Sequence, residues 1–240
     1  MARVAAGLLC YLLIATGISF WGREFIGPDF SFLEKLLLVV LLVASGPAIA
    51  AFISWRLWPE LRGLSSLFGC WPKWAAILAA VIPVAVLAFA GYPNELGVQA
   101  NLMGAIVALC FLFYALGEEI GWRGFVHDAL ASNPIFLRGL ITGIVWWLWH
   151  LWFLQGEFEL IKQMQGLALL LAIAVLFAYL VSESQSWLMM AAFHSVGNIG
   201  MMAPIIDLPS DERIKLAAIM LALLIALHSY CKKKFLTGSV

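Results

Sequence analysis

Long apolar stretches joined by short connections make up most of this sequence. Because a bilayer core is ~30 Å thick and a helix rises about 1.5 Å per residue, a helix needs about 20 mostly apolar residues to cross it. Several of the stretches are slightly short, but 64% of all residues are hydrophobic. The sequence therefore predicts an all-α fold, a polytopic transmembrane bundle of about eight helices in which residues 1–240 form one membrane domain. The predicted helices cover about residues 4–21, 36–54, 74–91, 101–117, 138–154, 166–182, 187–202 and 214–230.

The placement of Lys and Arg indicates the orientation of these helices, because positive charge favours cytoplasmic loops. With the N-terminus inside, nine Lys and Arg residues fall on the cytoplasmic side and five on the other side. We therefore expect both termini in the cytoplasm and the protein in the inner or plasma membrane of the cell. The net charge of zero gives no reason to expect a nucleic-acid partner. The predicted cytoplasmic charges are Arg3, Arg56, Arg62, Lys73, Arg123, Arg138 and Lys232 to Lys234.

Five polar residues lie where membrane helices should be apolar: Glu118, Glu119, His150, His194 and Asn198. Ionisable groups at membrane depth cost a few kcal/mol each and mark functional positions by default. Only 12% of the residues are charged, yet three separate segments carry such groups. This pattern predicts a polar site inside the bundle.

The first motif, EEIGWR at 118–123, ends the fourth apolar segment. Adjacent helical residues point about 100° apart, so the two carboxylates are expected to have different roles. Glu119 and Arg123 have the i,i+4 spacing and order that favour an ion pair, which leaves Glu118 as the freer carboxylate. Glu118 could then accept a proton from water. The alternative is that the apolar run stops here and these charges are solvated at the interface.

The second motif, WWLWHLW at 146–152, contains His150 about twelve residues into its segment. Gly139 and Gly143 have the small-xxx-small spacing that lets a neighbouring helix approach. Trp146 and His150 lie near the helix face that carries these two glycines, so they are expected to face protein rather than lipid. The alternatives are a histidine that only bonds a neighbouring helix and an aromatic belt at the membrane surface.

The third motif, HSVGN at 194–198, places His194 and Asn198 one helical turn apart on one face. Both side chains can donate hydrogen bonds. Two donors at this spacing could stabilise a single oxyanion. The alternative is a polar stripe that holds two helices together.

Taken in order, the three motifs resemble those of the CAAX protease and bacteriocin-processing family (CPBP, or Abi), whose best-known branch is the type II CAAX prenyl endopeptidases. The pattern EExxxR, aromatic-xxx-His and HxxxN occurs here as EEIGWR, WWLWH and HSVGN. The resemblance covers about residues 100–202. One departure is Trp146, because the second motif of the family usually begins with Phe.

The resemblance implies an intramembrane endopeptidase in which water attacks the peptide bond directly. Glu118 would be the general base, and His150 would hold or polarise the water. His194 and Asn198 would stabilise the tetrahedral oxyanion. Glu119 and Arg123, with Trp146, would support the first motif.

The sequence favours a reaction without a cofactor. If a metal were used, Glu118, His150 and His194 would be the ligands, and zinc is the ion such a set would bind. HExxH is absent from the sequence, and Asn198 is a poor zinc ligand. Ser195 adjoins His194, but adjacent helical residues do not face each other, which argues against a serine nucleophile.

The sequence also allows other functions. The expected partners are the lipid bilayer and a peptide or membrane-protein substrate, such as a prenylated C-terminus, a leader peptide or a membrane-protein tail. A non-enzymatic immunity or scaffold protein of the same fold is one alternative. A proton-coupled transporter is another, but it predicts inverted repeats that the sequence does not show.

Overall fold

The structure is a computed structural model that describes residues 2–27, 29–151, 159–201 and 209–236. These residues are helical apart from short connections, and they contain no β-strand, so the predicted all-α class is confirmed. Two π-helical segments, Val39–Val43 and Ile120–Val126, and one 3-10 turn, Pro59–Leu61, interrupt the α-helices. The helices are α1 Ala2–Phe25, α2 Phe32–Leu38, α3 Ser45–Leu57, α4 Lys73–Ala90, α5 Ala100–Glu119, α6 His127–Ala129, α7 Ile135–His150, α8 Leu160–Ser184, α9 Trp187–Met201 and α10 Ser210–Phe235.

Each predicted apolar segment corresponds to a helical run. Six runs among the described residues are long and apolar enough to cross a membrane, and α7 is a shorter apolar helix. The second predicted segment is one run, Leu33–Leu57, because a π-helical turn joins α2 to α3. The fifth was predicted to reach residue 154, but α7 ends at His150. Trp152, and the last residue predicted for the seventh segment, lie outside the described residues.

The chain divides into two compact units, which are described separately below. The first comprises Met1–Ser66 and Gly117–Gln185, and the second comprises Leu67–Leu116 and Ser186–Val240. The first and second motifs therefore belong to the first unit, and the third motif belongs to the second unit.

Close helix packing in the first unit depends on small residues. A Cβ at Gly139 would lie 2.6 Å from the Cα of Val175, and a Cβ at Gly143 would lie 3.1 Å from that of Leu171. These contacts join α7 to α8, as the small-xxx-small spacing predicted. On α1, Ser19 donates a hydrogen bond to the carbonyl of Val43 at 2.8 Å, which ties this helix to the π-helical turn before α3.

The second unit is built mainly from α4, α9 and α10. Ser186 caps α9, because its hydroxyl accepts a hydrogen bond from the N–H of Met189 at 3.1 Å. The same hydroxyl donates to the carbonyl of Leu67 at 3.1 Å. At the other end of α9, Arg213 donates to the carbonyl of Gly200 at 3.3 Å, so polar contacts hold both ends of the helix that carries the third motif.

Candidate active site

Glu118 lies in the last turn of α5, where its carboxylate accepts two indole N–H groups. The Nε1 of Trp122 donates to Oε2 at 3.0 Å, and the Nε1 of Trp146 donates to the same oxygen at 2.8 Å. Glu118 is only 1% exposed and Glu119 is not exposed at all. These carboxylates are therefore buried in protein, and the alternative that they are solvated surface charges is wrong.

The two carboxylate oxygens of Glu118 differ in their hydrogen bonds. Both of its hydrogen bonds end on Oε2, so Oε1 accepts none from the described residues. Two fixed donors on one oxygen set the plane of the carboxylate. This geometry leaves Oε1 as the atom that can accept a proton from a bound molecule.

Glu119 and Arg123 form the predicted i,i+4 ion pair, with 2.8 Å between Arg123 Nη1 and Glu119 Oε1. The pair is fully buried. The guanidinium also lies 4.8 Å from the ring centroid of Trp146 and 4.7 Å from that of Phe177. Arg123 thus packs against helices α7 and α8 and holds the segment after Glu118 in place.

His150 is the last residue of α7 and is half-buried. Its Nδ1 lies 2.9 Å from the backbone oxygen of Trp146, and since a carbonyl only accepts, Nδ1 carries the proton. In the neutral form of the ring, the lone pair would be on Nε2. Edge contacts with Trp146 at 5.7 Å and Trp149 at 5.0 Å fix the ring. Among the described residues, His150 is linked to Glu118 through Trp146.

The third motif occupies the middle of α9 in the second unit. His194 and Asn198 are both buried, at 7% and 8% exposure. The Nδ2 of Asn198 is a buried donor that has no hydrogen-bond partner among the described residues. Ser195 donates its hydroxyl to the carbonyl of Ala192 at 2.8 Å. This bond lies within its own helix.

Three features of the first unit were missed by the sequence analysis. Trp122 donates to Glu118 and could have been found, because it lies four residues further along the same helix face. Tyr11 packs its ring edge-on against Trp122 with centroids 5.5 Å apart, and no sequence pattern connects the two residues. Asp128 accepts hydrogen bonds from the backbone N–H and the hydroxyl of Ser65 at 3.1 and 2.5 Å. The two residues are 63 positions apart in the sequence.

The two indole donors on Oε2 leave Oε1 as the oxygen of Glu118 that is open to a ligand, whether water or a metal ion. Oε2 already accepts two N–H groups, whose hydrogens would be directed toward a cation bound there. Within the described part of the first unit, no three His, Cys, Asp or Glu side chains are grouped as metal ligands. We therefore find no fit for zinc at Oε2.

The fold and the buried carboxylate define an integral membrane protein with a polar site inside its helices. Residues 99–200 match the sequence model of the family described as type II CAAX prenyl endopeptidase Rce1-like. A curated relative, CAAX prenyl protease 2 of Methanococcus maripaludis, is 27% identical over 140 residues. That alignment covers 54% of this chain and 51% of the relative, so the match spans about half of the relative's length. All three motifs lie inside residues 99–200, and the resemblance inferred from them is confirmed.

Proposed function

We propose that this protein is an intramembrane endopeptidase of the CAAX prenyl endopeptidase type, acting near the cytoplasmic side of the membrane. The observation that carries the proposal is the buried Glu118 carboxylate, with one oxygen held by two indoles and the other without a hydrogen bond from the described residues. The family model, which matches all three motifs, supports a peptidase. The proposed orientation, with both termini in the cytoplasm, follows from the excess of Lys and Arg on that side.

In the proposed reaction, water attacks the peptide carbonyl directly. Glu118 Oε1 takes a proton from the water as its oxygen bonds to the carbonyl carbon. When the carbon–nitrogen bond breaks, the proton passes from Glu118 to the leaving amine. His150, which ends α7 and lies against the ring of Trp146, helps to hold the water.

The resemblance assigns stabilisation of the oxyanion to His194 and Asn198. The Nδ2 of Asn198 supports this role, because it is a buried donor that the described residues leave without a hydrogen bond. Removing one such donor from an enzyme lowers the rate about 100-fold or more.

We propose that the reaction uses no metal, because the sequence lacks HExxH and Asn198 is a poor zinc ligand. If zinc were bound through Glu118, His150 and His194, it would supply an activated water molecule. Dialysis against a chelator tests this point. Activity that survives dialysis supports the proposal, and activity that disappears and returns with zinc contradicts it.

The substrate class is proposed from the name of the curated relative, which is a prenyl protease. We expect a peptide or membrane-protein tail with a lipidated C-terminus, presented from the bilayer. A leader peptide or an unmodified tail would be recognised by its sequence alone. Matched peptides with and without the prenyl group distinguish these substrates.

The central experiment compares purified variants in detergent on such peptides. We expect Glu118→Gln and His194→Ala to lower cleavage by at least ~100-fold, the scale of losing a general base or an oxyanion donor. Glu95→Gln is the matched control, because Glu95 is exposed and lies outside all three motifs. Equal cleavage by the Glu118 variant and the wild type would rule out Glu118 as the general base, and a wild type that cleaves no peptide would contradict the peptidase. Binding without cleavage would then favour a scaffold, and proton flux in proteoliposomes would favour a transporter.

A further inference from the structure

Tyr11 brings an additional polar group to the first motif from α1. Its side chain is fully buried. The ring stacks on Phe125 with centroids 5.2 Å apart and meets Trp122 edge-on at 5.5 Å. Both partners belong to the π-helical segment that follows Glu119. Tyr11 lies outside residues 99–200, so the family match assigns it no role.

The Tyr11 hydroxyl lies against Gly121 in this segment. A Cβ on Gly121 would collide with the Tyr11 Oη, so the hydroxyl occupies the space that a side chain there would fill. Gly121 belongs to the π-helical segment that begins two residues after Glu118. The carboxylates of Glu118 and Glu119 both lie within electrostatic range of this hydroxyl.

Packing alone does not explain a tyrosine at this position. The Oη is buried and has no hydrogen-bond partner among the described residues. Because a buried hydroxyl without a partner destabilises the folded state, phenylalanine would fill the same space at lower free energy. A buried polar atom of this kind calls for an explanation, such as an ordered water molecule or a catalytic role.

We propose that Tyr11 is a further catalytic residue, whose hydroxyl forms a hydrogen bond with the water molecule that Glu118 deprotonates. This inference rests on the proposed peptidase function. A bound water needs at least two polar partners, and Tyr11 Oη and Glu118 Oε1 are two such atoms that the described residues leave unsatisfied. During the attack, one proton passes from water to Glu118 and the water oxygen bonds to the carbonyl carbon. Tyr11 keeps its own proton throughout and orients the water.

The test is Tyr11→Phe, which removes one oxygen atom and retains the ring that packs on Phe125. We expect kcat to fall at least ~10-fold, within the range for losing a positioned polar group, with KM changed less than about twofold. We expect the unfolding midpoint in detergent to stay unchanged or rise, because an unsatisfied hydroxyl is removed. Ser54→Ala is the matched control, since Ser54 carries another buried hydroxyl without a partner in the described part of the chain. Ser54→Ala should change the unfolding midpoint as Tyr11→Phe does, and it should leave kcat unchanged.

The outcomes separate this inference from the proposed function. If the wild type cleaves peptides, Glu118→Gln does not, and Tyr11→Phe keeps its kcat, then only the role of Tyr11 is overturned. A lower unfolding midpoint in Tyr11→Phe would show that the hydroxyl is structural and would also overturn it. If the wild type and Glu118→Gln are equally inactive, both the proposed peptidase function and the proposed role of Tyr11 in holding water are overturned.

Discussion

The indole of Trp146 donates a hydrogen bond to Glu118 at 2.8 Å and joins two motifs that are 28 residues apart in the sequence. The same oxygen accepts the indole of Trp122, so one donor comes from the helix of Glu118 and the other from α7. Below the Trp146 ring lies the guanidinium of Arg123, which is paired with Glu119. Trp146 therefore contacts both acidic residues of the first motif, either directly or through Arg123.

Trp146→Phe should lower kcat/KM by about 10-fold, because it removes one of the two donors that hold Glu118 and retains an aromatic ring over Arg123. Trp122→Phe should have a similar effect for the same reason. Cleavage rates of both variants and of the double variant provide the measurement. The double variant should lose more activity than either single variant, and wild-type activity in it would show that the indoles do not position the carboxylate.

Contacts between residues close together in the sequence were predicted, whereas contacts between residues far apart in the sequence were missed. The Glu119–Arg123 pair and the small-residue face of α7 were predicted because both depend on neighbours three or four residues apart on one helix. The contact between Tyr11 and Trp122 joins positions brought together only by the tertiary fold, so no local pattern predicts it.

The π-helical segment was also missed, because the sequence after Glu119 continues in helical periodicity. Such segments are rare and occur often at functional sites. Here the π-helical segment Ile120–Val126 carries Trp122, Arg123 and Phe125, which make the contacts around Glu118 and Tyr11. Composition and hydropathy predicted the helices, but not this local change in the backbone.

Arg123→Met should destabilise the protein by about 3–5 kcal/mol, because it leaves Glu119 as a buried carboxylate without its arginine partner. The double variant Glu119→Gln with Arg123→Met should recover most of this loss, since it removes the charge as well. Unfolding in mixed detergent measures both. A double variant as unstable as Arg123→Met would mean that Arg123 acts through its packing on Trp146 and Phe177.

Asp128→Asn should lower the free energy of unfolding by about 1–3 kcal/mol, because Asp128 accepts two hydrogen bonds from Ser65. Arg138 lies 3.6 Å from the other oxygen of this carboxylate. Arg138 also lies 2.7 Å from His127 Nδ1 and can only donate, so His127 accepts there and is neutral. The substitution therefore removes the only negative charge beside Arg138 in this cluster of described residues.

Asp29→Asn, at an exposed position, is the control and should show no measurable change. Equal stability of the two variants would contradict the role of Asp128 in anchoring the connection after α3.

Gly139→Ala and Gly166→Ala provide a matched test of the packing between α7 and α8. A Cβ at Gly139 would lie 2.6 Å from the backbone of Val175, whereas a Cβ at Gly166 would have nothing within 4 Å. The first variant should be destabilised by about 1–3 kcal/mol, because the two helices must separate to admit the methyl group. The second should be neutral or more stable by up to about 1 kcal/mol, since alanine restricts the unfolded chain and favours the helix. Because α7 also carries Trp146 and His150, Gly139→Ala should lower peptide cleavage as well, and Gly166→Ala should not. Unfolding and peptide cleavage are measured on the same preparations of both variants. Equal stability of the two variants would mean that the contact between α7 and α8 is looser than its geometry indicates.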